Sequence, residues 1–382
     1  MKNIPKKKLL FITKNFPPEI GGGLRRIEAI YNILLANKNI DLQVVTTVKE
    51  KPARKKYENV NYIKQFFFKD KKKESITNFQ NTKSKIKFID KALIGWLPNV
   101  LLYIIFKKYD FVFASCPTFT NIVIGFLYKA FRFGRTKFII EYRDFFSLNP
   151  SFVENFAKKA LSIFERIIIR KSDYIIATTN GMKDILSKIT DPTKIFLVKN
   201  YISSYDIEKL KHFKKIKIIP RFYNIGHIGK LNTGRNPAKI LRLLEHKAGG
   251  KKICLYFVGV NDDEIAFIKN EANRINLDSK RIFFQHPVNR ETSLKLMKSF
   301  DGVILIINSD ASIKYGYGIP GKIYDYIYAN NNIFSDKETF LNLKSEFKCK
   351  VIRKFSNFIN FSVIDKKILD IELNKILNRI VS

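Results

Sequence analysis

A chain of 382 residues, 46% of them hydrophobic, is too long for one ordinary core and predicts two domains of roughly 150 to 200 residues each. Its 70 Lys and Arg against 34 Asp and Glu give a formal net charge of +36, which favours polyanions (nucleic acid, anionic lipid or phosphorylated substrates), although abundant Lys, Ile, Asn and Phe are also what A- and T-rich coding produces. Cys116, Cys254 and Cys349 match no metal spacing and read as reduced thiols of a cytosolic protein, and the longest apolar run, 92–106, is broken by Pro98 and Asn99 and is shorter than the roughly 20 residues of a membrane crossing.

Short apolar runs alternate with segments of helical period, the pattern that builds doubly wound parallel sheets. Lysines precede a first strand at 9–13, too short for the centre of a signal peptide, so no secretion is expected. After Phe16-Pro17-Pro18 and Gly21-Gly22-Gly23, a helix carries Leu24, Ile27, Ile30, Leu34 and Leu35 on one face. Strands are predicted at 41–47, 110–114, 137–141, 174–178 and 195–198, with helices between and before them. Together they form a Rossmann-like N-terminal domain over 1–205.

A charged stretch, 205–220, separates a second series over 215–365. It reads as strand 221–227, helix 237–246, strand 252–258, helix 262–276, strand 281–284, helix 290–298 and strand 302–307. This is a second doubly wound domain. The final segment, 366–382, is helical in period and is expected to pack back on the first domain. Residues 49–91 differ from both series, with Lys71-Lys72-Lys73 and Phe66-Phe67-Phe68 ahead of Trp96. Basic and aromatic residues so interleaved suit docking to an anionic bilayer; a solvated loop over a buried helix is the other reading.

The stretch Gly316-Tyr317-Gly318-Ile319-Pro320-Gly321-Lys322-Ile323-Tyr324-Asp325 combines an anion site, a cation and a carboxylate. The glycines permit close backbone approach, Pro320 suits the first turn of a helix, and that helix's unpaired N–H groups favour a diphosphate or sugar hydroxyl. Asp325 offers two oxygens to a ribose diol. A glycine-rich turn capping an amphipathic helix is the plainer account.

In doubly wound domains ligands collect outside the carboxyl ends of the strands. In the second domain the first strand runs into Gly229-Lys230 and, further on, Arg235. Two cations there would neutralise a diphosphate and the charge that grows as it departs; in so basic a chain they also pass as surface residues. Arg143 and Asp144 end a first-domain strand and are candidates for positioning acceptor or donor sugar, or for a strand-to-helix salt bridge.

These motifs, Phe16-Pro17-Pro18 with Gly21-Gly22-Gly23, Tyr142-Arg143-Asp144, Phe164-Glu165 through Asp173-Tyr174-Ile175-Ile176-Ala177-Thr178-Thr179, Gly229-Lys230 with Arg235, and the segment from Gly316, resemble the retaining glycosyltransferases of the family-4-like group. The resemblance covers most of the chain. It implies an α/β fold of GT-B architecture, two Rossmann-like domains facing across a cleft, and transfer from a nucleotide-diphosphate sugar with neither metal nor cofactor. Position by position it implies that Gly22 and Gly23 admit the donor diphosphate, that Lys230 and Arg235 grip it, and that Asp325 takes the ribose hydroxyls. It places Tyr317, Gly318, Ile319, Pro320 and Lys322 around the donor. His286 falls at the loop facing the nucleobase, where it lines the pocket or stands as a surface histidine.

The chain departs from the family where two glutamates seven residues apart are usual: the positions are Tyr317 and Asp325. A tyrosine hydroxyl bonds a sugar but carries no full charge. Asn330-Asn331-Asn332 and Asn200-Tyr201 are further departures, and all bear on the donor more than on the fold. The expected protein is thus a cytoplasmic enzyme of polysaccharide biosynthesis, peripheral on the inner membrane face, with a saccharide or lipid-linked acceptor. A nucleotide-sugar epimerase on the same fold, a nucleic-acid-binding protein and a non-catalytic scaffold are the alternatives. Only four histidines speak against the epimerase, and no recognition helix, zinc spacing or stacking motif supports nucleic acid.

Overall fold

The structure, a computed structural model, describes residues 5–17, 23–47, 57, 59–65, 95–116, 118–148, 156–231, 237–307, 319–330, 332–355 and 357–381. They fold as two compact units, 1–199 with 369–382, and 200–368.

The first unit is built on seven strands, β1 (Lys7–Ile12), β2 (Ile40–Thr47), β3 (Val60–Ile63), β4 (Phe111–Cys116), β5 (Lys137–Tyr142), β6 (Tyr174–Ala177) and β7 (Ile195–Leu197). All pair in parallel, in the order β3-β2-β1-β4-β5-β6-β7. Helices α1 (Leu24–Ala36), α2 (Leu97–Ile104), α3 (Phe119–Phe131), α4 (Phe156–Lys171) and α5 (Asn180–Ser187) lie between them. β4 is buried at every residue, as expected of a parallel strand covered on both faces. The inward face of α1 is Ile27, Ile30, Tyr31 and Leu34, joined by Arg26; Leu35, expected on that face, is 41% exposed. Arg26 is buried there against the Glu141 carboxylate of β5.

The second unit opens with α6 (Ser204–His212), inside the stretch read above as a charged separator; Ser203 caps it by accepting from Asp206 N at 3.2 Å. There follow β8 (Tyr223–Ile228), α7 (Pro237–Leu241), β9 (Lys247–Ala248), β10 (Lys251–Val258), α8 (Asp262–Arg274), β11 (Ile282–Gln285), α9 (Arg290–Ser299), β12 (Gly302–Ile304), α10 (Lys322–Ala329), β13 (Ile333–Asp336), α11 (Lys337–Glu346), β14 (Cys349–Lys354) and β15 (Phe358–Val363). The expected helix 237–246 is α7 followed by a tighter 3-10 turn at Arg242–Glu245. The sheet order is β11-β10-β8-β12-β13-β15-β14, with β9 against β10; β14 and β15 pair antiparallel. α8 begins in a capping box of Asn261 and Glu264, which satisfies two otherwise orphaned N–H groups.

Both units use one device at the amino ends of their strands. The carboxylate preceding one strand accepts the N–H of the second residue of its neighbour: Asp110 from Lys8 N at 2.8 Å, Asp173 from Phe138 N at 2.7 Å, and Asp301 from Asn224 N at 2.8 Å. Each fixes the register of a parallel pair that no hairpin turn can set. The last helix, α12 (Leu369–Val381), belongs to the first unit and packs on α1, where Asn37 donates to Asn378 at 2.9 Å. Among the described residues no helix is long and apolar enough to cross a membrane, and no cluster of His, Cys, Asp or Glu could hold a metal ion. The three cysteines are free thiols.

Candidate functional site

In each unit the strand order reverses beside the first strand, between β1 and β4 and between β8 and β12. Ligands of doubly wound sheets bind at the carboxyl ends of such strands. In the first unit Arg143, directly after β5, turns across these ends. Its Nη1 donates to the Gly23 carbonyl at 2.7 Å and its Nε to the Cys116 carbonyl at 3.2 Å. A Cβ on Gly23 would lie 2.7 Å from Nη1, so a larger residue there would push the guanidinium from this position. Burial lowers the affinity of Arg143 for its proton, without threatening its charge at neutral pH.

Asp144, next along, is exposed. Desolvation by the surrounding protein nonetheless pushes its carboxyl above the ordinary range, and Arg143 offsets only part of this. The loop carrying both residues is tied down by Glu165, which is wholly buried and accepts from Ser147 N at 2.8 Å, Ser147 Oγ at 2.5 Å and Leu148 N at 3.2 Å. Burial raises the Glu165 carboxyl while these three bonds pull it back. Glu141, in β5, is fully buried against Arg26 of α1, with Nε to Oε1 at 2.5 Å; Ser115 Oγ supplies Oε2 at 2.6 Å.

In the second unit β8 is followed by Gly229, whose φ of 96° is unfavourable for any residue with a Cβ; its N–H donates to the Val258 carbonyl at 2.7 Å. Lys230, next, is exposed. α10 is docked on this strand end by two side chains. Tyr326 Oη accepts from Ile228 N at 3.0 Å, and Lys322 Nζ reaches the Ile228 carbonyl at 3.1 Å and His227 Nε2 at 2.9 Å. An ammonium only donates, so the His227 ring accepts at Nε2 in its neutral form. The first turn of α10, with Gly321 at its cap, thereby joins a fixed cation to the positive end of a helix dipole.

Asp325, one turn inward on α10, is 3% exposed. Its two oxygens accept from Arg290 Nη1 at 2.8 Å and Nη2 at 2.7 Å, and Nη2 also reaches Asp206 of α6 at 2.9 Å. Desolvation works against the Arg290 charge, yet Asp325 and Asp206 together outweigh it and raise its pKa. Arg290 escaped the sequence reading: its partners lie 35 and 84 residues away, and no local spacing announces them.

Of the other expected site residues, Ile319 and Pro320 lead half-buried into α10, and His286 stands exposed after β11 with Nε2 3.7 Å from Asp262. Gly22, Arg235, Tyr317 and Gly318 lie outside the described residues, as does most of the basic stretch 49–91.

No protein-family model matches the sequence. An uncharacterized glycosyltransferase of Methanocaldococcus jannaschii is 24% identical over 306 residues, 78% of this chain and 74% of the relative. Among solved structures, Anabaena HepE in complex with UDP-glucose matches with a TM-score of 0.54 at 14% identity, covering 98% of this chain and 90% of that one. The N-terminal domain of Candida albicans trehalose-6-phosphate phosphatase matches with a TM-score of 0.60 at 12% identity, covering 99% and 89%. With its two Rossmann-like units, each a parallel-based sheet flanked by helices, the chain has the α/β fold of the GT-B type.

Proposed function

We propose that the chain is a retaining, metal-independent glycosyltransferase that binds a nucleotide-diphosphate sugar on its second unit and a saccharide acceptor on its first. The observation that carries this reading is Lys322, held by His227 and the Ile228 carbonyl at the start of α10 and the carboxyl end of β8. Fixed positive charge at a helix start beside a sheet's reversal point suits a diphosphate. The name of the M. jannaschii relative and the UDP-glucose of the Anabaena structure support it.

In this reading Lys230 and Arg235 bind the departing diphosphate and stabilise its growing charge, and Gly22 and Gly23 admit it. Tyr317, Gly318, Ile319 and Pro320 form the rest of the donor loop, and His286 flanks the base. Asp325, oriented by Arg290, takes the ribose hydroxyls. As the sugar–phosphate bond breaks, the diphosphate oxygen accepts the acceptor's hydroxyl proton. The new glycosidic bond forms on the face just vacated, which retains the anomeric configuration. Arg143 and Asp144 position the sugars. The acceptor is a lipid-linked saccharide of cell-surface polysaccharide synthesis, met at an anionic membrane surface.

A thermal-shift screen with UDP, GDP, ADP and their sugars tests the proposal, because a ligand of the native state raises Tm. A rise with one nucleotide family, followed by transfer that survives chelator, is expected. Absence of any shift, together with absence of sugar transfer to lipid-linked acceptors, would overturn it.

A further inference from the structure

The amino edge of the first sheet, opposite the strand ends described above, carries largely exposed apolar side chains. Phe106, just after α2, is 88% exposed; Leu102, one helical turn earlier, is 72% exposed; Phe133, just after α3, is 90% exposed. These are tips of structured turns. Tyr128 pins both turns, donating to the Lys107 carbonyl at 2.6 Å and accepting from Tyr109 N at 3.2 Å, while Arg132 N closes on the Tyr128 carbonyl at 3.0 Å. Phe133 also adopts φ 51°, an uncommon conformation for a bulky residue. A phenylalanine that is both exposed and in left-handed backbone contributes nothing to this fold.

The surroundings of these tips are basic. Lys108 and Arg135 are exposed, Lys107 and Arg132 half-exposed, and Lys8 borders them at the start of β1. The aspartates among them are engaged by neighbours: Asp110, though exposed, accepts from Lys8 N at 2.8 Å, and half-buried Asp173 pairs with Lys129 at 2.6 Å and Lys137 at 3.4 Å. A cavity of about 440 Å³ opens at the same edge between Lys8, Lys107 and Lys108, with Asp41 on its wall. Large apolar tips within a ring of Lys and Arg match an interface whose outer layer is anionic and whose inner layer is hydrocarbon.

We propose that this edge docks the protein onto an anionic phospholipid bilayer, Phe106, Leu102 and Phe133 entering the acyl boundary and the lysines and arginines meeting the headgroup phosphates. The inference names the partner surface of the membrane element in the functional reading above, and its geometry stands without the transferase chemistry.

The test is cosedimentation of the full chain with vesicles of phosphatidylglycerol and phosphatidylcholine, compared with phosphatidylcholine alone. Binding is expected to the anionic vesicles only and to weaken with salt. Phe106→Ser and Phe133→Gly should each reduce partitioning roughly tenfold, since each removes a large buried apolar side chain from the bound state. Phe133→Gly also relieves left-handed backbone, so its Tm should equal or exceed that of the native protein, which separates lost docking from lost folding. Equal binding to both vesicle types, or undiminished binding by both variants, would overturn the proposal. So would a native dimer in sedimentation that the same variants dissociate, because a second copy would then be the occupant. Nucleotide-induced Tm shifts are read on the same variants without vesicles, so failure of docking and failure of the donor reading are told apart.

Discussion

Arg290 meets Asp325 with one terminal nitrogen to each carboxylate oxygen, at 2.8 and 2.7 Å, and from the second nitrogen reaches Asp206 at 2.9 Å. Three helices, α6, α9 and α10, are thereby joined through one guanidinium. Arg290→Ala leaves Asp325 charged and almost sealed from water, and should cost about 3 kcal/mol, the lower end of the range for a broken buried pair because Arg290 itself is 29% exposed. Urea unfolding measures this. Arg290→Lys keeps the charge but not the fork, so it should fold better than Arg290→Ala and still bind nucleotide-sugar more weakly than the native protein. Unaltered donor affinity in Arg290→Lys would separate Asp325 from the ribose.

The Arg26–Glu141 pair is buried on both sides, with side-chain exposures of 5% and 0%. Arg26 Nη1 also donates to the Lys199 carbonyl at 2.8 Å. Arg26→Ala is expected to destabilise the protein by about 3–5 kcal/mol, and replacing Arg26 and Glu141 together by Met and Leu to recover most of it. Chemical denaturation of the three proteins checks both statements.

Asp144 allows a prediction with pH. Its folded pKa is raised by desolvation, so the folded protein holds this proton more tightly than the unfolded chain does. Its ionised form therefore opposes folding above the folded pKa, and the penalty vanishes as pH falls below the unfolded value. Asp144→Asn should melt higher than the native protein at pH 7, with the difference shrinking as pH falls through the carboxylate range. A difference that grows on acidification would contradict this. A simultaneous loss of sugar transfer is expected of a carboxylate kept at a stability cost for function.

Lys230 is exposed beside Gly229, so Lys230→Ala should leave Tm within a degree or so while lowering transfer roughly 100- to 1,000-fold, the usual effect of deleting one electrostatic stabiliser of a departing group. Arg235→Ala should behave alike in turnover. Steady-state kinetics with the nucleotide-sugar found by thermal shift decides; full activity in both variants would remove them from the diphosphate.

Most strands of both sheets were legible because parallel strands buried on two faces are continuous apolar runs, 9–13 against Lys7–Ile12 and 252–258 against Lys251–Val258, whereas the four-residue strands β3 and β13 were missed. The antiparallel margin, β14 with β15, was missed, since Cys349–Lys354 is an outer strand with an almost wholly exposed, basic face and imitates a loop. α6 was hidden by its charge, though Ser203 followed by Asp206 carried a readable cap. At the candidate site the sequence showed which residue types gather after strands, but not their partners. Lys322 was noticed as part of a glycine-rich segment; its grip on His227 joins positions 95 residues apart and needs the fold. Gly23 was read through its freedom of backbone, whereas the structure ties it to the guanidinium of Arg143.

β4 is six residues long, Phe111–Cys116, hence about 20 Å from end to end. Phe106 and Lys107 precede it; the Cys116 carbonyl held by Arg143 closes it. A unit resting on lipid by its amino edge would thus carry Arg143 at a stand-off of about one strand length, too high for a sugar attached directly to a headgroup phosphate. Under the proposed docking and the proposed lipid-linked acceptor, that height would act as a ruler: short lipid-linked stubs should be poor substrates, and glycans already several sugars long should reach.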